Sequence, residues 1–477
     1  MITALDFTIV YVALPHIARD VGFSPTGLQW VVSAYAVPFG GFLLLGGQLS
    51  DLLGRRRMFV IGMLVYGVAS LLGGLAASPA LLIGARALQG IGGAVLMPAT
   101  LSLVVTMFDE GPARNRAMTV WAVCGAGGLS LGALLGGVLT GTFGWEAVFF
   151  VNVPMSVVGA AAAFAVLTPD GARRAGGFDV IGALTGTLGV TGLVFAIANG
   201  TEWGWTSPGV LASLVAAVAL LAGFVAVEAR SRNPLLPLRL LANRHTSAAA
   251  GAILVFGLTM QCVPYFLTLH FQDVLGYDAV QSGLAFLGPT LGITAGNLVS
   301  ERLIPRLGLR GTLALSLLVG AAGMAVLGWS LSVGGSYLGL LAGAAGFGLG
   351  SGLTFNTMFI VASTGVAPHE QGAVSGLSST VLQSGTSAGL AVLVAVAGRD
   401  TTGLTGDALL ATTVDGLRSA LYVAAAIAVI GVATALALPR GARTAAAPQV
   451  PGSRRPARKP GRADLQNPRN ITKKPWV

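Results

Sequence analysis

Two ionisable side chains lie inside long apolar segments, where they could carry a proton. Asp6 lies in LDFTIVYVALP, the segment that ends at Pro15, and Arg86 lies in LIGARALQGIGGA, residues 82–94. A charged side chain is costly in hydrocarbon, so each should face a cavity or a partner. The rise of a helix places them at similar depths, roughly 13 Å and roughly 10 Å from their segment ends, so that a pair is possible. Gln89, one turn after Arg86, extends the same polar face.

Chemistry at this pair would be proton exchange. Burial disfavours the charged form of a carboxylate and a nearby cation favours it, so Asp6 could take up a proton when empty and lose it when a cation arrives. Two other interpretations stay open. Asp6, five residues from Met1, could be a cap among lipid headgroups, and Arg86 could only tie backbone carbonyls together.

Two further motifs could take part in the movement of helices against one another. Asp51 and Arg55, four residues apart in a short turn, could form an ion pair, which would act as a gate only if it is buried. Small residues recur at intervals that let helix backbones approach closely. They are Gly128, Gly132, Gly136 and Gly137 in one segment, and Gly372, Gly376, Gly385 and Gly389 in another. Ordinary helix packing and the rocking of two halves explain these glycines equally well.

A substrate cavity needs inward aromatic and polar groups. The candidates, each weak alone, are Trp30, Tyr35, Phe39, Gln261, Tyr265, Asn297, Asn356 and Gln383. Aromatic residues near segment ends can instead be membrane-interface anchors, and Trp30 favours that interpretation. The four His residues lack metal-ligand spacing, and the Gly-x-Gly pattern at Gly346 to Gly350 lacks a preceding strand. We therefore expect no metal and no cofactor, and no enzyme-like polar cluster.

The composition excludes a soluble globular protein. Of 477 residues, 54% are hydrophobic and only 10% are charged, against roughly 25% charged in soluble domains. A membrane helix needs about twenty apolar residues, and the charge-poor gaps supply fourteen such segments. They lie within 1–18, 21–50, 58–85, 87–108, 117–145, 147–169, 180–201, 203–227, 245–272, 279–300, 311–369 (two segments), 371–398 and 419–439.

The distribution of charge predicts the orientation. The net charge of +10 comes almost entirely from residues 440–477, a basic tail without interleaved aromatic residues, which argues against nucleic-acid binding. With an even number of spans both termini share one face, and that face collects the tail and fourteen loop arginines, leaving Arg19, Arg399 and Arg418 on the other. The positive-inside rule then predicts a multi-pass plasma-membrane protein with both termini cytoplasmic.

An internal repeat divides the chain. LSDLLGRRRMF, residues 49–59, is echoed by LIPRLGLRGTL, residues 303–313, with Gly54 on Gly308 and Arg56 on Arg310. The Arg- and Pro-rich composition of residues 228–246 indicates a linker. The prediction is an all-α membrane protein with 14 transmembrane helices in a 6+2+6 arrangement of parallel halves. Its parts are 1–168, the first six-helix half; 169–229, two extra helices; 230–245, a cytoplasmic linker; 246–439, the second half; and 440–477, a disordered tail.

These residues resemble the fourteen-span drug:proton antiporters of the major facilitator superfamily, from Leu5 to about Pro439. LDFTIVYVALP is similar to the family's first-helix signature, and LIGARALQGIGGA is similar to its fourth-helix signature. GQLSDLLGRRRMF matches the loop signature, and WEAVFFVNVP and PLLPLRLLANR also resemble family segments. The resemblance implies proton coupling at Asp6 and Arg86. It also implies motif or gate roles for Gly47, Asp51, Gly54, Arg55, Arg56, Gln89 and Gly90.

The chain departs from the family pattern at three places. Ala133 stands where the family has a proline after the glycine that corresponds to Gly132, and Glu146 replaces a usual base. The family's first signature is normally preceded by a longer segment. Eighteen residues at the start reach about 27 Å, barely a bilayer core, so either an earlier start or a short first helix is expected.

The sequence therefore predicts proton-coupled efflux of hydrophobic or cationic small molecules by alternating access. The proton gradient would drive transport, and the partners would be substrate, protons and lipid, with a monomer expected. An exporter dedicated to one endogenous metabolite fits the residues equally well. A solute importer is less favoured, and only flux separates a transporter from a receptor.

Overall fold

The fold comes from a computed structural model that describes residues 1–24, 27–107, 112–167, 169–170, 179–231, 239–366, 371–399 and 404–438. The regular elements in these ranges are helices, which is the economical structure in hydrocarbon because each backbone group finds its partner within its own segment. The first helices are α1 (Ile2–Val21), α2 (Gln29–Leu53), α3 (Arg55–Gly74), α4 (Pro79–Met107), α5 (Pro112–Phe143), α6 (Ala147–Phe150) and α7 (Asn152–Val166).

The remaining helices include two long segments with internal breaks. They are α8 (Val180–Trp203), α9 (Pro208–Glu228), α10 (Arg239–Ala242), α11 (Arg244–Leu258), α12 (Val263–Leu269), α13 (Ala279–Ala285), α14 (Leu287–Ser330), α15 (Tyr337–Ser363), α16 (Gln371–Ala397) and α17 (Gly406–Leu436). A 3-10 turn at Met260–Cys262 joins α11 to α12, and a π-helical turn at His270–Val274 follows α12. Within these ranges, ten helical segments are long and apolar enough to cross a membrane.

Two bundles flank a central helix hairpin. In the first bundle, α1 packs on α5, α2 and α3 pack on α4, and α3 packs on α7. In the last bundle, α14 packs on α15 and α17, and α11 packs on α16. Helices α8 and α9 pair with each other, and α8 also lies against α2 and α16. The bundles meet where α2 contacts α16, α5 contacts α13 and α1 contacts α12.

The two turns that the sequence aligns have similar structures. Gly54, between α2 and α3, has φ 103°, and Gly308, inside α14, has φ 70°. Residues with a side chain adopt such backbone angles only at a cost in conformational energy. Gly308 divides α14 into two helical pieces at this point. Arg56 donates to the Phe164 carbonyl oxygen at 3.0 Å and Arg310 to the Leu438 carbonyl oxygen at 3.2 Å, each near the end of the final helix of its bundle.

One expected boundary is wrong. The charge gap predicts a last span from Ser419, but α17 starts at Gly406 and carries Asp415 and Arg418 within the helix. Both are accommodated because Arg418 bonds Asp415 at 2.8 Å and donates to the Leu331 carbonyl oxygen at 2.8 Å. Local pairing therefore lets the helix extend well beyond its charge-free part.

Candidate functional site

Asp6 and Arg86 form an ion pair in the interior of the first bundle. The Arg86 Nη1 atom lies 2.6 Å from Asp6 Oδ2, and the two side chains are 2% and 0% exposed. The alternative in which Asp6 lies among headgroups does not fit this burial. Helices α1 and α4 thus bring together the two residues that the sequence places at similar depth.

Three neutral side chains complete the site. Gln89 Nε2 donates to Asp6 Oδ1 at 2.8 Å and to Ser70 Oγ at 2.9 Å. Asn152 Nδ2 donates to Asp6 Oδ1 at 2.9 Å, and Arg86 Nη1 also donates to Gln89 Oε1 at 2.7 Å. All five residues are buried, and we call them the Asp6 network. Its members come from α1, α3, α4 and α7, so four helices contribute to one hydrogen-bond network, in which donors from α4 and α7 reach the carboxylate itself.

Arg86 is also held from the side of α2. Its Nε donates to the Val31 carbonyl oxygen at 2.8 Å, and its guanidinium lies 4.5 Å from the Tyr35 ring centroid and 5.9 Å from that of Phe149. Aromatic faces attract a cation, and a planar guanidinium can stack on one ring while it pairs a carboxylate. Arg86 therefore ties a backbone carbonyl and pairs Asp6 at once, so the two interpretations of this residue are compatible.

Sequence reasoning missed Asn152 and Ser70. Asn152 lies in WEAVFFVNVP, which carried only a resemblance and no chemical role. A polar amide inside an apolar helix was the available signal, because such groups are expensive in hydrocarbon and need partners. Ser70 offered no signal, since a lone serine satisfies itself readily on its own helix.

The turn before α3 is held by a carboxylate that the sequence did not single out. Asp170 accepts hydrogen bonds from the backbone N–H groups of Arg56 and Arg57, each at 3.0 Å. A carboxylate at a helix start satisfies otherwise unpaired N–H groups and complements the helix dipole.

The Asp51 side chain lies outside the described residues, so its pairing with Arg55 stays a prediction. Gly47 is the other motif glycine of this region, and a Cβ there would lie 3.8 Å from Pro98.

The predicted glycines separate into two kinds of contact. Gly128, Gly132 and Gly136 face α1: a Cβ at Gly128 would lie 2.9 Å from the Met1 carbonyl oxygen, and one at Gly136 would lie 2.7 Å from that of Ile9. Gly137 instead faces the Ala279 backbone of the last bundle. Three of the four therefore pack within one bundle, and Gly137 lies between bundles. Gly90 packs on the backbone of Tyr35.

The structure does not gather the cavity candidates into one place. Tyr35 lies against Arg86, and Phe39 stacks on Tyr35 with centroids 5.5 Å apart. Tyr265 is buried against Phe266. Asn356 donates to Ser300 between α15 and α14, and Asn297 and Gln261 are half-buried. Gln383 lies against Gly40. Their contact with substrate stays a prediction.

Comparison with known proteins gives the family. The model of the Major Facilitator Superfamily matches residues 1–390. The puromycin resistance protein pur8 of Streptomyces alboniger is 39% identical over 90% of this chain and 86% of its own. The cephamycin export protein CmcT of Amycolatopsis lactamdurans is 40% identical over 84% of each chain. The multidrug resistance protein Stp of Mycobacterium tuberculosis is 32% identical over 82% of this chain and 73% of its own.

Solved structures agree on the fold. The in meso crystal structure of the POT family transporter PepTSo superposes with a TM-score of 0.65 at 15% identity, over 91% of this chain and 96% of that one. The chain belongs to the Major Facilitator Superfamily, as the resemblance in its motifs implied. It is a membrane transporter of a family whose members carry small molecules, rather than an enzyme.

Proposed function

We propose that this protein exports hydrophobic or cationic small molecules in exchange for protons. The observation that carries the proposal is the buried Asp6–Arg86 pair, a titratable carboxylate inside an apolar bundle. Intramembrane ionisable residues mark proton relays and substrate pathways in transporters. The relatives named for puromycin resistance, cephamycin export and multidrug resistance support efflux as the direction.

Coupling would act through the hydrogen bonds of Asp6. Ionised Asp6 accepts from Arg86, Gln89 and Asn152. A protonated carboxyl group carries an O–H that needs an acceptor of its own, and it loses the negative charge that strengthens its bonds to the three donors, above all to Arg86. Asn152 Oδ1 is buried with no hydrogen-bond partner among the described residues and could accept that proton. Proton uptake at Asp6 would thus rearrange contacts among α1, α4 and α7.

The proposed cycle is alternating access between two six-helix halves with two extra helices. The parts are those given by the sequence, 1–168, 169–229, 230–245, 246–439 and 440–477. Fourteen spans are supported if α6 with α7, α11 through Val274, α13 with the piece of α14 before Gly308, and the piece of α14 after Gly308 are counted as one span each. The four-residue α10 is then not a span. The basic tail and loop arginines support cytoplasmic termini. Asp51 and Arg55 remain the proposed inner latch.

In this orientation the bundles would be in contact at the outer end of α5 and at the middle of α1. Gln272 Nε2 in the π-helical turn donates to the Val12 carbonyl oxygen of α1 at 2.7 Å. Near the end of α5, a Cβ at Gly141 would lie 3.1 Å from Val280 Cγ2. The contact of Gly141 lies at the end of α5 that is remote from the N-terminus, whereas Val12 lies near the middle of α1. The arrangement would be the one closed to the outside.

A second candidate is an exporter dedicated to one endogenous metabolite. The relatives named for cephamycin export, tetracenomycin C resistance and export, and actinorhodin transport favour it, because each name refers to a single product. The breadth of substrates separates the two candidates.

The test is proton flux in proteoliposomes that contain the full chain. A panel of lipophilic cations, such as tetraphenylphosphonium and ethidium, and neutral drugs is added to wild type, Asp6→Asn and Asp415→Asn. Asp415 is the matched control because it is 63% exposed and pairs Arg418 at the surface. We expect several compounds to move protons in wild type and Asp415→Asn and none in Asp6→Asn.

Each other outcome has a definite meaning. Coupled flux that persists in Asp6→Asn would remove Asp6 from the mechanism. Proton movement with one compound only would favour the dedicated exporter. No proton movement with any compound in wild type, together with substrate counterflow, would leave a transporter that is not coupled to protons.

A further inference from the structure

Arg86 is held by α2 as well as by Asp6. Its Nε donates to the Val31 carbonyl oxygen at 2.8 Å, and its Cζ lies 4.5 Å from the centroid of the Tyr35 ring, one helical turn further along α2. We call these two contacts the α2 clasp. Both are made by neutral groups, so the clasp holds the guanidinium without a second charge.

The close approach of α2 and α4 brings the clasp within reach of Arg86. A Cβ at Gly90 would overlap the Tyr35 carbonyl oxygen, so the two backbones touch at this point. Gly90 lies four residues after Arg86 and therefore on the same face of α4. Because Gly90 has no side chain, Arg86 can reach the α2 backbone itself at Val31.

The Tyr35 ring is confined where Arg86 meets it. The residue is 2% exposed, and the Phe39 ring stacks with it at 5.5 Å between centroids. A Cβ at Gly93 of α4 would lie 3.0 Å from the Tyr35 hydroxyl oxygen. In a closely packed interior the ring cannot turn away without displacing these neighbours. Its contact with Arg86 is therefore built into the packing of α2 on α4.

Proton uptake at Asp6 would leave Arg86 without its counter-ion. A buried cation that loses its partner is strongly destabilised, so other groups must hold the guanidinium at that stage. The attraction of an aromatic face for a cation does not depend on the carboxylate, and it is strongest where water is excluded. Tyr35 is the nearer of the two rings beside Arg86, since the Phe149 centroid lies 5.9 Å away.

We propose that Tyr35 is a positioning residue for proton exchange, which keeps Arg86 in place while Asp6 is protonated. The inference rests on the proposed function and adds to it a residue that acts through Arg86 rather than on substrate. With the guanidinium held, Asp6 regains its partner as soon as the proton leaves. Without the ring, Arg86 can turn to other partners, and the steps that need proton exchange become slow.

The test compares two kinds of transport in proteoliposomes that contain the full chain. Transport driven by a pH gradient needs proton exchange at Asp6. Counterflow, the exchange of labelled for unlabelled substrate without a gradient, needs only the movement of the loaded transporter. The substrate is the compound of the panel, tetraphenylphosphonium, ethidium or another, that moves protons fastest in wild type. The readout is the ratio of gradient-driven rate to counterflow rate, because a loss of folded protein lowers both rates alike.

Three variants separate the aromatic face from simple packing. Tyr35→Leu removes the face and should lower the ratio about tenfold or more, the change expected for a buried cation–π contact. Tyr35→Phe keeps the face and should retain most of the wild-type ratio. Phe256→Leu is the control and should leave the ratio unchanged, because this buried ring of the last bundle contacts another ring, Phe355, at 5.9 Å between centroids.

Fluorinated phenylalanines at position 35 test the electrostatic attraction directly. Fluorine atoms draw electron density from the ring face and weaken its attraction for a cation, while the ring keeps almost the same size. The ratio should fall stepwise as one, two and three fluorine atoms are added. This series also gives the answer if Tyr35→Leu does not fold.

The outcomes separate the inference from the proposed function. If a pH gradient drives transport in wild type, but the fluorinated rings behave as phenylalanine does or Tyr35→Leu lowers both rates alike, Tyr35 only fills space and the inference is wrong. If counterflow proceeds in wild type but no pH gradient drives transport, proton coupling fails and the role of Tyr35 fails with it.

Discussion

Buried polar groups are paired differently in the first bundle, α1–α7, and in the last, α11–α17. In the first bundle, Asp6 accepts hydrogen bonds from residues 80, 83 and 146 positions away along the chain. In the last bundle, buried hydroxyls mostly return to their own helix. Thr312 bonds Gly308 at 2.9 Å and Thr354 bonds Gly350 at 2.8 Å. Among the described residues of α11–α17, no Asp, Glu, Lys or Arg is buried.

This difference indicates in which bundle a change of charge would alter the contacts between helices. A hydroxyl bonded within its own helix adds little and does not link helices. The Asp6 carboxylate accepts from side chains of two other helices and is linked through Gln89 to a third, and losing Arg86 would leave its charge uncompensated. A change of one proton on Asp6 would therefore affect the whole first bundle. The last bundle offers no equivalent site in its described part, so we expect its movements to follow rather than initiate the coupling.

The largest effect should follow from removing Asp6 and leaving Arg86 buried alone. Asp6→Ala should cost about 3–5 kcal/mol, because a buried charge without its partner is strongly unfavourable. Asp415→Ala in the last bundle removes an exposed partner of Arg418 and should cost less than about 1 kcal/mol. The shift in the midpoint of thermal unfolding in detergent measures both.

A double substitution sharpens the same comparison. Asp6→Ala with Arg86→Met removes both charges, so it should recover a large part of the lost stability, although not transport. Equal losses for Asp6→Ala and Asp415→Ala would show that the Asp6 network does not stabilise the first bundle.

A smaller contrast is expected between the two aligned turns. Alanine at Gly54 or at Gly308 forces a positive φ on a residue with a Cβ, which costs ~1–3 kcal/mol. At Gly54 the Cβ would also overlap the Asp170 carboxylate, whereas nothing lies within 4 Å at Gly308. Gly54→Ala should therefore lose a further ~1–3 kcal/mol by overpacking. Thermal unfolding checks the order, and a greater loss for Gly308→Ala would contradict the role of Asp170.

The smallest contrast is between two asparagines. Asn152→Leu removes a donor from the Asp6 carboxylate and should cost about 1.5–3 kcal/mol, the range for hydrogen bonds to charged groups. Asn356→Leu removes a neutral bond to Ser300 and should cost about 0.5–1.5 kcal/mol. The measurement is again the unfolding midpoint, combined for Asn152→Leu with proton flux, which this substitution should alter. Unchanged flux in Asn152→Leu would exclude Asn152 from coupling.

Much of the fold was predictable because hydrocarbon imposes simple rules on sequence. Apolar length indicated helices, and the aligned turns at 49–59 and 303–313 indicated that two bundles share a motif. Boundaries were less predictable. Helix α17 can include Asp415 and Arg418 because Arg418 pairs with Asp415 and donates to the Leu331 carbonyl oxygen. Counting charges along the sequence does not reveal such pairing.

The candidate site divides in the same way. Asp6, Arg86 and Gln89 could be predicted, because an ionisable group in an apolar run is rare and the helical rise gives its depth. Asn152 offered a signal as an amide in an apolar run, but its partner could not be predicted. Ser70 and Asp170 offered none, since each acts through a partner on another helix. The glycines were recognised as packing residues, but which helix each one faces follows only from the assembled bundle.

The sequence by itself determined a helical membrane protein, its motif turns and the buried residues Asp6 and Arg86, because these depend on hydropathy and on positions along single helices. The tertiary structure decided which side chains share a carboxylate and which helices of the two bundles meet. Those properties depend on how helices rotate and pack against one another, and side chains up to 146 residues apart meet only when that packing is complete.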